Sequence, residues 1–143
     1  MAYFRDNVER MAGYSPGEQP QDKKYVKLNT NENPYPPSPK VLEAIRSAAN
    51  ADLRLYPDPM ATRLREKLGK VYGFSPDEII AGQGGDDILN LIVRAAAGKG
   101  DKVASIYPSY TLYDTLAELQ EAEFVRVENV EDLASVGAKV TFV

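Results

Sequence analysis

The sequence predicts an α/β fold built on a largely parallel sheet, and three observations carry that expectation. Past Gly73, short apolar runs alternate with amphipathic ones: EIIAG, DILNLIVRAAA, KVASIYP, TLYDTLAELQ, EFVRVE and AKVTFV. Such a β-α-β-α-β rhythm implies parallel strands joined by right-handed crossovers. Eight of the ten prolines lie before residue 60, so the first part of the chain is segmented and regular elements concentrate in the second. Finally, 143 residues with 43% hydrophobic content suffice for one core and fall short of two ordinary domains.

From the amino terminus, residues 13–39 (GYSPGEQPQDKKYVKLNTNENPYPPSP) combine turn formers with four prolines in six positions, which repeatedly pins φ and excludes a helix. An extended arm is expected, ordered against a larger body through Tyr25, Val26 and Leu28 and through local hydrogen bonds of Asn29, Asn31 and Asn33. Ser38 suits an N-cap with Pro39 at the first helical position, and Val41, Leu42, Ile45 and Ala49 recur at helical spacing, predicting a helix over 39–49. After a turn at Asn50, LRLYPDP reads as short and extended. Asp58-Pro59 opens a second helix with Leu64, Leu68 and Val71 on one stripe, and Gly73 ends it. EIIAG reads as the first strand, followed by a glycine turn and a helix beginning near Ile88. The division is thus an arm over 1–40, a helical segment over 41–75 and the start of an α/β domain over 76–143.

Composition narrows the chemistry. With no cysteine and no histidine, the chain offers no disulfide, no thiolate or imidazole zinc site, no Cys nucleophile and no Ser-His-Asp triad. What remains is carboxylates, Lys, Tyr, backbone amides or a borrowed cofactor. A net charge of −4 argues against a nucleic-acid partner, which draws on a basic face. The charge is uneven, with 12 Lys/Arg against 9 Asp/Glu in residues 1–72 and 5 against 12 in residues 73–143. No apolar run approaches the ~20 residues of a membrane span, and MAYFRDNVER lacks a signal-peptide core, so no membrane partner and a cytoplasmic location are expected.

Open parallel sheets bind ligands beyond the carboxyl ends of their strands, which directs attention to two turns. In Gly82-Gln83-Gly84-Gly85-Asp86-Asp87, three glycines permit a tight turn whose N–H groups can approach a ligand, backed by the positive end of a helix dipole. It reads either as a phosphate cradle or as an ordinary glycine-rich turn with acidic caps. The cradle requires that Asp86 and Asp87 turn their carboxylates away or cap amides. The Walker and dinucleotide patterns both fail, for want of Gly-Lys-Ser/Thr and of a glycine at Asp87. In Tyr107-Pro108-Ser109-Tyr110, a tyrosine at the mouth of the next helix can stack on a flat ring, or can simply be a rim aromatic. Together the two turns describe a phosphorylated aromatic ligand.

Leu28-Asn29-Thr30-Asn31-Glu32-Asn33-Pro34-Tyr35, Tyr56-Pro57-Asp58-Pro59, Gly82 to Asp87 and Tyr107 to Tyr110 stand in an order and spacing that resemble histidinol-phosphate aminotransferases. These are pyridoxal-phosphate enzymes of the aspartate aminotransferase fold, and the resemblance runs over nearly the whole chain. It implies a partial fold type I transferase. In that fold the amides of Gly85 and Asp86 would hold the phosphate of pyridoxal 5'-phosphate, Gly84 would make the turn and Tyr110 would stack on the pyridine ring. It also implies a homodimer, with 41–75 in the dimer contact and Tyr56 reaching the partner's cofactor phosphate, while Asn33 and Tyr35 in the arm border the substrate. Gly85 stands where a small Ser or Ala is usual, and Asp87 where Glu is usual.

The lysine that bonds the cofactor has no counterpart here. Lys99 and Lys102 precede a strand whose far end makes the site, and Lys23, Lys24 and Lys27 belong to the arm, so no catalytic residue is assigned. The chain thus reads as the amino-terminal part of an enzyme that moves an amino group between L-glutamate and imidazole-acetol phosphate in histidine biosynthesis. Its other readings are another class I/II aminotransferase, a threonine-phosphate decarboxylase, and a non-catalytic module that binds a phosphorylated ligand.

Overall fold

The computed structural model describes residues 3–12, 17–18, 20–21 and 25–143. Of the expected arm, residues 13–16, 19 and 22–24 lie outside the described residues. In chain order the elements are α1 (Asp6–Arg10), α2 (Pro39–Ala48), α3 (Thr62–Tyr72), α4 (Gly85–Ala96), β1 (Lys102–Ile106), α5 (Leu112–Leu119), β2 (Glu123–Val127), α6 (Val130–Leu133) and β3 (Val140–Phe142). Residues 3–12 and 82–143 make one compact unit, and the described residues between 17 and 81 make another.

In the second unit, α2 starts as its sequence requires. Ser38 Oγ accepts from the Val41 N–H at 3.4 Å, and Pro39 takes the first helical position. The stripe of Val41, Leu42 and Ile45 is present, yet none of its residues is buried. The extended segment expected from Leu53 onward begins only at Leu55. Ala51–Arg54 forms a 3₁₀ turn because Asn50 Oδ1 accepts from the Asp52 N–H at 2.8 Å. The next helix likewise starts at Thr62 rather than at Pro59. Asp58 spans the intervening turn, accepting from the N–H groups of Met60 at 3.0 Å and Thr62 at 2.7 Å. Gly73, with φ at 79°, closes α3 in the left-handed conformation that glycine adopts without strain.

EIIAG does not form the expected strand. Pro76–Glu78 is a 3₁₀ turn held by a reciprocal cap in which Glu78 Oε2 accepts from the Ser75 N–H at 2.8 Å. Arg65 fastens both ends of this turn, its Nε donating to the carbonyls of Pro76 at 2.8 Å and Ile79 at 2.9 Å. A strand needs a neighbour for its backbone groups, and no described strand pairs with residues 79–81.

The first unit carries the parallel sheet, in order β2-β1-β3. β1 pairs parallel with both neighbours, setting Val103 beside Phe124 and Val140, and Ser105 beside Arg126 and Phe142. Against Val103 and Val140 pack Val93 and Ala97 of the α4 region and Leu116 and Ala117 of α5, which form the core with Leu89, Leu112 and Leu119 at its margin. The helical spacing 89, 93, 97 and 112, 116, 119 explains which faces turn inward. Ala104, on the opposite face by the pleat, and Leu133 of α6 are buried outside that cluster.

Two short helices lie outside the expected elements. α6 precedes β3, and α1 docks on the end of α5: Arg5 Nη2 donates to the Leu119 carbonyl at 2.9 Å and Asn7 Nδ2 to that of Glu118 at 3.0 Å. These side chains satisfy carbonyls that a helix end leaves without partners. No helix among the described residues is long and apolar enough to cross a membrane.

Candidate functional site

The glycine turn is shaped by two glycines with different reasons to be there. A Cβ on Gly82 would lie 2.7 Å from Ile88 Cδ1 and 2.8 Å from Asp87 Oδ2, so the turn folds back on its own helix. Gly84 has φ 92° and ψ 175°, a conformation open in practice to glycine alone, and it caps α4. The helix begins at Gly85, a turn earlier than the start expected near Ile88, so Gly85, Asp86 and Asp87 are its first turn. The Ile88 N–H already bonds to the Gly84 carbonyl at 3.4 Å, whereas the amides of Gly85 and Asp86 have no intrahelical acceptor. Beyond Gly85 the space is open, with nothing within 4 Å of where a Cβ would stand.

Both acidic side chains of the turn are engaged. Asp87 Oδ2 accepts from the Gln83 N–H at 3.0 Å, which ties the turn back on itself. The Asp86 carboxylate accepts from the Tyr110 hydroxyl at 3.3 Å. Asp87 is thus bonded to an amide of its own turn, and Asp86 to the tyrosine of the neighbouring one. The donor set that remains, two helix-start amides at a positive dipole end, suits a phosphate monoester.

Tyr110 reaches the glycine turn because β1 ends beside it. The Tyr107 N–H bonds to the Val127 carbonyl at 2.8 Å, the Tyr107–Pro108 bond is cis, and the buried Ser105 Oγ donates to Ser109 Oγ at 3.2 Å. Tyr110 is 40% exposed. Its edge contact is Tyr113, with centroids 5.7 Å apart and planes at 84°. Tyr113 in turn stacks on Phe142 at 3.9 Å and 8°. Below the same turn, a cavity of about 70 Å³ is bordered by Ser109, Asp114 and Arg126. The Arg126 guanidinium there bonds to Asp114 and lies 5.7 Å from the Tyr107 ring centroid.

Gly84, Gly85, Asp86 and Tyr110 therefore come together in one unit. Tyr56, Asn33 and Tyr35 belong to the other. Tyr56 is fully exposed after the 3₁₀ turn, and Tyr35 is exposed, its N–H donating to Asn33 Oδ1 at 3.0 Å in a local turn. Nearby, Glu32 pairs with Lys27, whose hydrogen bond and charge hold its carboxyl below the usual range. Ser105, Tyr113 and Phe142, which contact Ser109, Tyr110 and Tyr113 respectively, are residues that the sequence does not single out. Only Tyr113 carries a local signal, since it stands three residues after Tyr110, in the first turn of α5, with its N–H bonded to the Tyr110 carbonyl at 3.2 Å.

Residues 23–138 match the family model of the class I and II aminotransferases. The histidinol-phosphate aminotransferase of Geobacter sp. (strain M21) is 56% identical over 123 residues, covering 85% of this chain and 35% of the relative. Histidinol-phosphate aminotransferase 1 of Trichormus variabilis is 44% identical over 149 residues, covering 99% of this chain and 43% of the relative. Among solved structures, the histidinol-phosphate aminotransferase of Sinorhizobium meliloti in complex with pyridoxal-5'-phosphate aligns over 96% of this chain and 40% of its own, with a TM-score of 0.80 and 28% identity. The chain thus spans between 35% and 43% of the length of these curated relatives.

Proposed function

The chain belongs to the class I and II aminotransferases, and on that premise we propose that it supplies the cofactor-phosphate and ring-binding part of a histidinol-phosphate aminotransferase. The full activity in this reading is amino transfer between L-glutamate and imidazole-acetol phosphate in histidine biosynthesis, with pyridoxal 5'-phosphate as cofactor. Supporting it are the relatives of that name at 44 to 56% identity. The observation that carries it furthest is local: the Gly85 and Asp86 amides open beside a tyrosine ring already bonded to the same turn.

The bound cofactor supplies an electron sink that stabilises a carbanion next to nitrogen. The chain's own residues bind and orient. Gly84 turns the backbone so that the amides of Gly85 and Asp86 donate to phosphate oxygens, in charge-assisted bonds stronger than neutral ones. The Tyr110 ring covers one face of the pyridine, and its hydroxyl, held by Asp86, limits how that ring can tilt. Asp87, bonded to the Gln83 amide, keeps its charge tied back into the turn.

Three further assignments complete the proposal. Tyr56 reaches the cofactor phosphate of a second subunit in a homodimer, with 41–75 in the contact. Asn33 and Tyr35, in the 1–40 arm, border the substrate, while 76–143 begins the cofactor domain. The cytoplasm is the proposed location.

The test is a titration of the chain with pyridoxal 5'-phosphate, followed by absorbance, with inorganic phosphate as competitor and borohydride reduction at the end. The expected result is a saturable spectral change that phosphate competes away and that borohydride does not fix at any one lysine. Absence of a saturable change, or a stoichiometric adduct on a single lysine, contradicts the proposal.

A further inference from the structure

We propose that Tyr113 and Phe142 are positioning residues for the cofactor ring: together they hold the Tyr110 ring in the plane in which it meets the pyridine. This inference rests on the reading that Tyr110 faces pyridoxal 5'-phosphate, and it assigns a role to two residues outside that contact.

Four facts place the pair. Tyr113 is edge-on to Tyr110, at 5.7 Å and 84°, so the positive edge of one ring meets the negative face of the other. Phe142 then stacks on Tyr113 at 3.9 Å and 8°, which fixes the Tyr113 plane. Phe142 is itself held by the sheet, in register with Ser105 of β1. The Ser105 hydroxyl donates to that of Ser109, the neighbour of Tyr110, so one layer of the sheet supports the tyrosine turn both through the ring stack and through a pair of hydroxyls.

The Asp86 bond acts on the hydroxyl end of Tyr110 and does not by itself stop the ring turning about its long axis. The edge contact with Tyr113 opposes that rotation. A stacking partner of undefined plane loses overlap with a flat ligand, so the aromatic backing acts on ring orientation and leaves the phosphate contact alone.

The experiment compares the chain with Tyr113→Leu, Phe142→Leu and Tyr113→Phe. Binding of pyridoxal 5'-phosphate is read by titration, ring orientation by the induced circular dichroism of the bound ligand, and the glycine turn by binding of inorganic phosphate. Tyr113→Leu and Phe142→Leu are expected to weaken pyridoxal 5'-phosphate by about three- to tenfold, the worth of an aromatic pair, and to change the induced signal. Phosphate affinity stays unchanged, and Tyr113→Phe, which keeps the ring, behaves as the parent. A Leu variant with parental affinity and signal overturns the positioning role. So does a Leu variant that loses phosphate binding in the same proportion, since that marks general loosening. A parent chain that binds phosphate but not pyridoxal 5'-phosphate refutes the underlying reading instead.

Discussion

Replacing Gly84 and Gly85 separately by alanine yields opposite outcomes from adjacent residues of one turn. Neither site has steric obstruction, because nothing lies within 4 Å of either added Cβ. The difference is torsional. Gly84 sits at φ 92° and ψ 175°, where a side chain costs about 1–3 kcal/mol, whereas Gly85 lies in the first turn of α4 with no positive φ. There the loss of unfolded-state freedom favours alanine by about 0.4–1 kcal/mol. Urea denaturation followed by circular dichroism resolves both signs, since about 1–3 kcal/mol corresponds to a midpoint shift on the order of 1 M at typical slopes. Gly84→Ala should unfold at lower urea and bind phosphate more weakly, because relaxing the strain moves the Gly85 amide. Gly85→Ala should match or exceed the parent. Equal midpoints for the two variants, or a loss confined to Gly85→Ala, would refute the assignment of the turn.

Named contacts elsewhere in the chain support three other expectations. Asp87→Ala removes the acceptor of the Gln83 N–H and should cost about 1 kcal/mol in the same denaturation assay, the usual worth of a capping bond. Arg65→Ala strips the donor from the Pro76 and Ile79 carbonyls and should cost about 1–3 kcal/mol, with Arg65→Lys failing to restore it because both bonds come from the Nε–H, which a lysine has no counterpart for at that point of its chain. The Asp58 carboxyl is held below its ordinary value, first by the Thr62 side chain and then by the Thr62 and Met60 amides. A depressed folded pKa gives stability that is present above the unfolded value and lost as pH falls through the folded one. Start-of-helix amide protection in α3 should therefore hold at neutral pH and fall as pH drops below the ordinary Asp range, and in Asp58→Asn this acid step should be absent.

Much of the architecture was legible because its signals are local. Ser38-Pro39 announces the start of α2, Gly73 the end of α3, and the apolar spacings of α4 and α5 their buried faces. KVASI, EFVRV and VTF read as strands and pair in parallel as expected. EIIAG misleads because its apolar pattern is strand-like while its backbone finds no partner strand among the described residues, and Arg65 takes the Ile79 carbonyl. Gly85 hides a helix start because glycine is a poor helix former, although at the first position its bare amide is what the turn requires. α1 has no apolar period at all, since it is held by two side chains on carbonyls more than a hundred residues away. At the candidate site, the glycine turn and Tyr110 stand out in the sequence by type and spacing. The Asp86 bond to Tyr110 and the stack on Phe142 could not, because they join residues that only the parallel sheet brings side by side.

The central claim is that one turn takes a phosphate while the tyrosine beside it takes the attached ring. It is tested most directly with pyridoxamine 5'-phosphate and pyridoxamine, which form no imine with surface lysines and differ only in the phosphate. The expected result is saturable binding of the phosphorylated compound, competed by inorganic phosphate and weakened in Tyr110→Ala, and little binding of pyridoxamine at the same concentrations. Equal binding of the two compounds, or of neither, would contradict it.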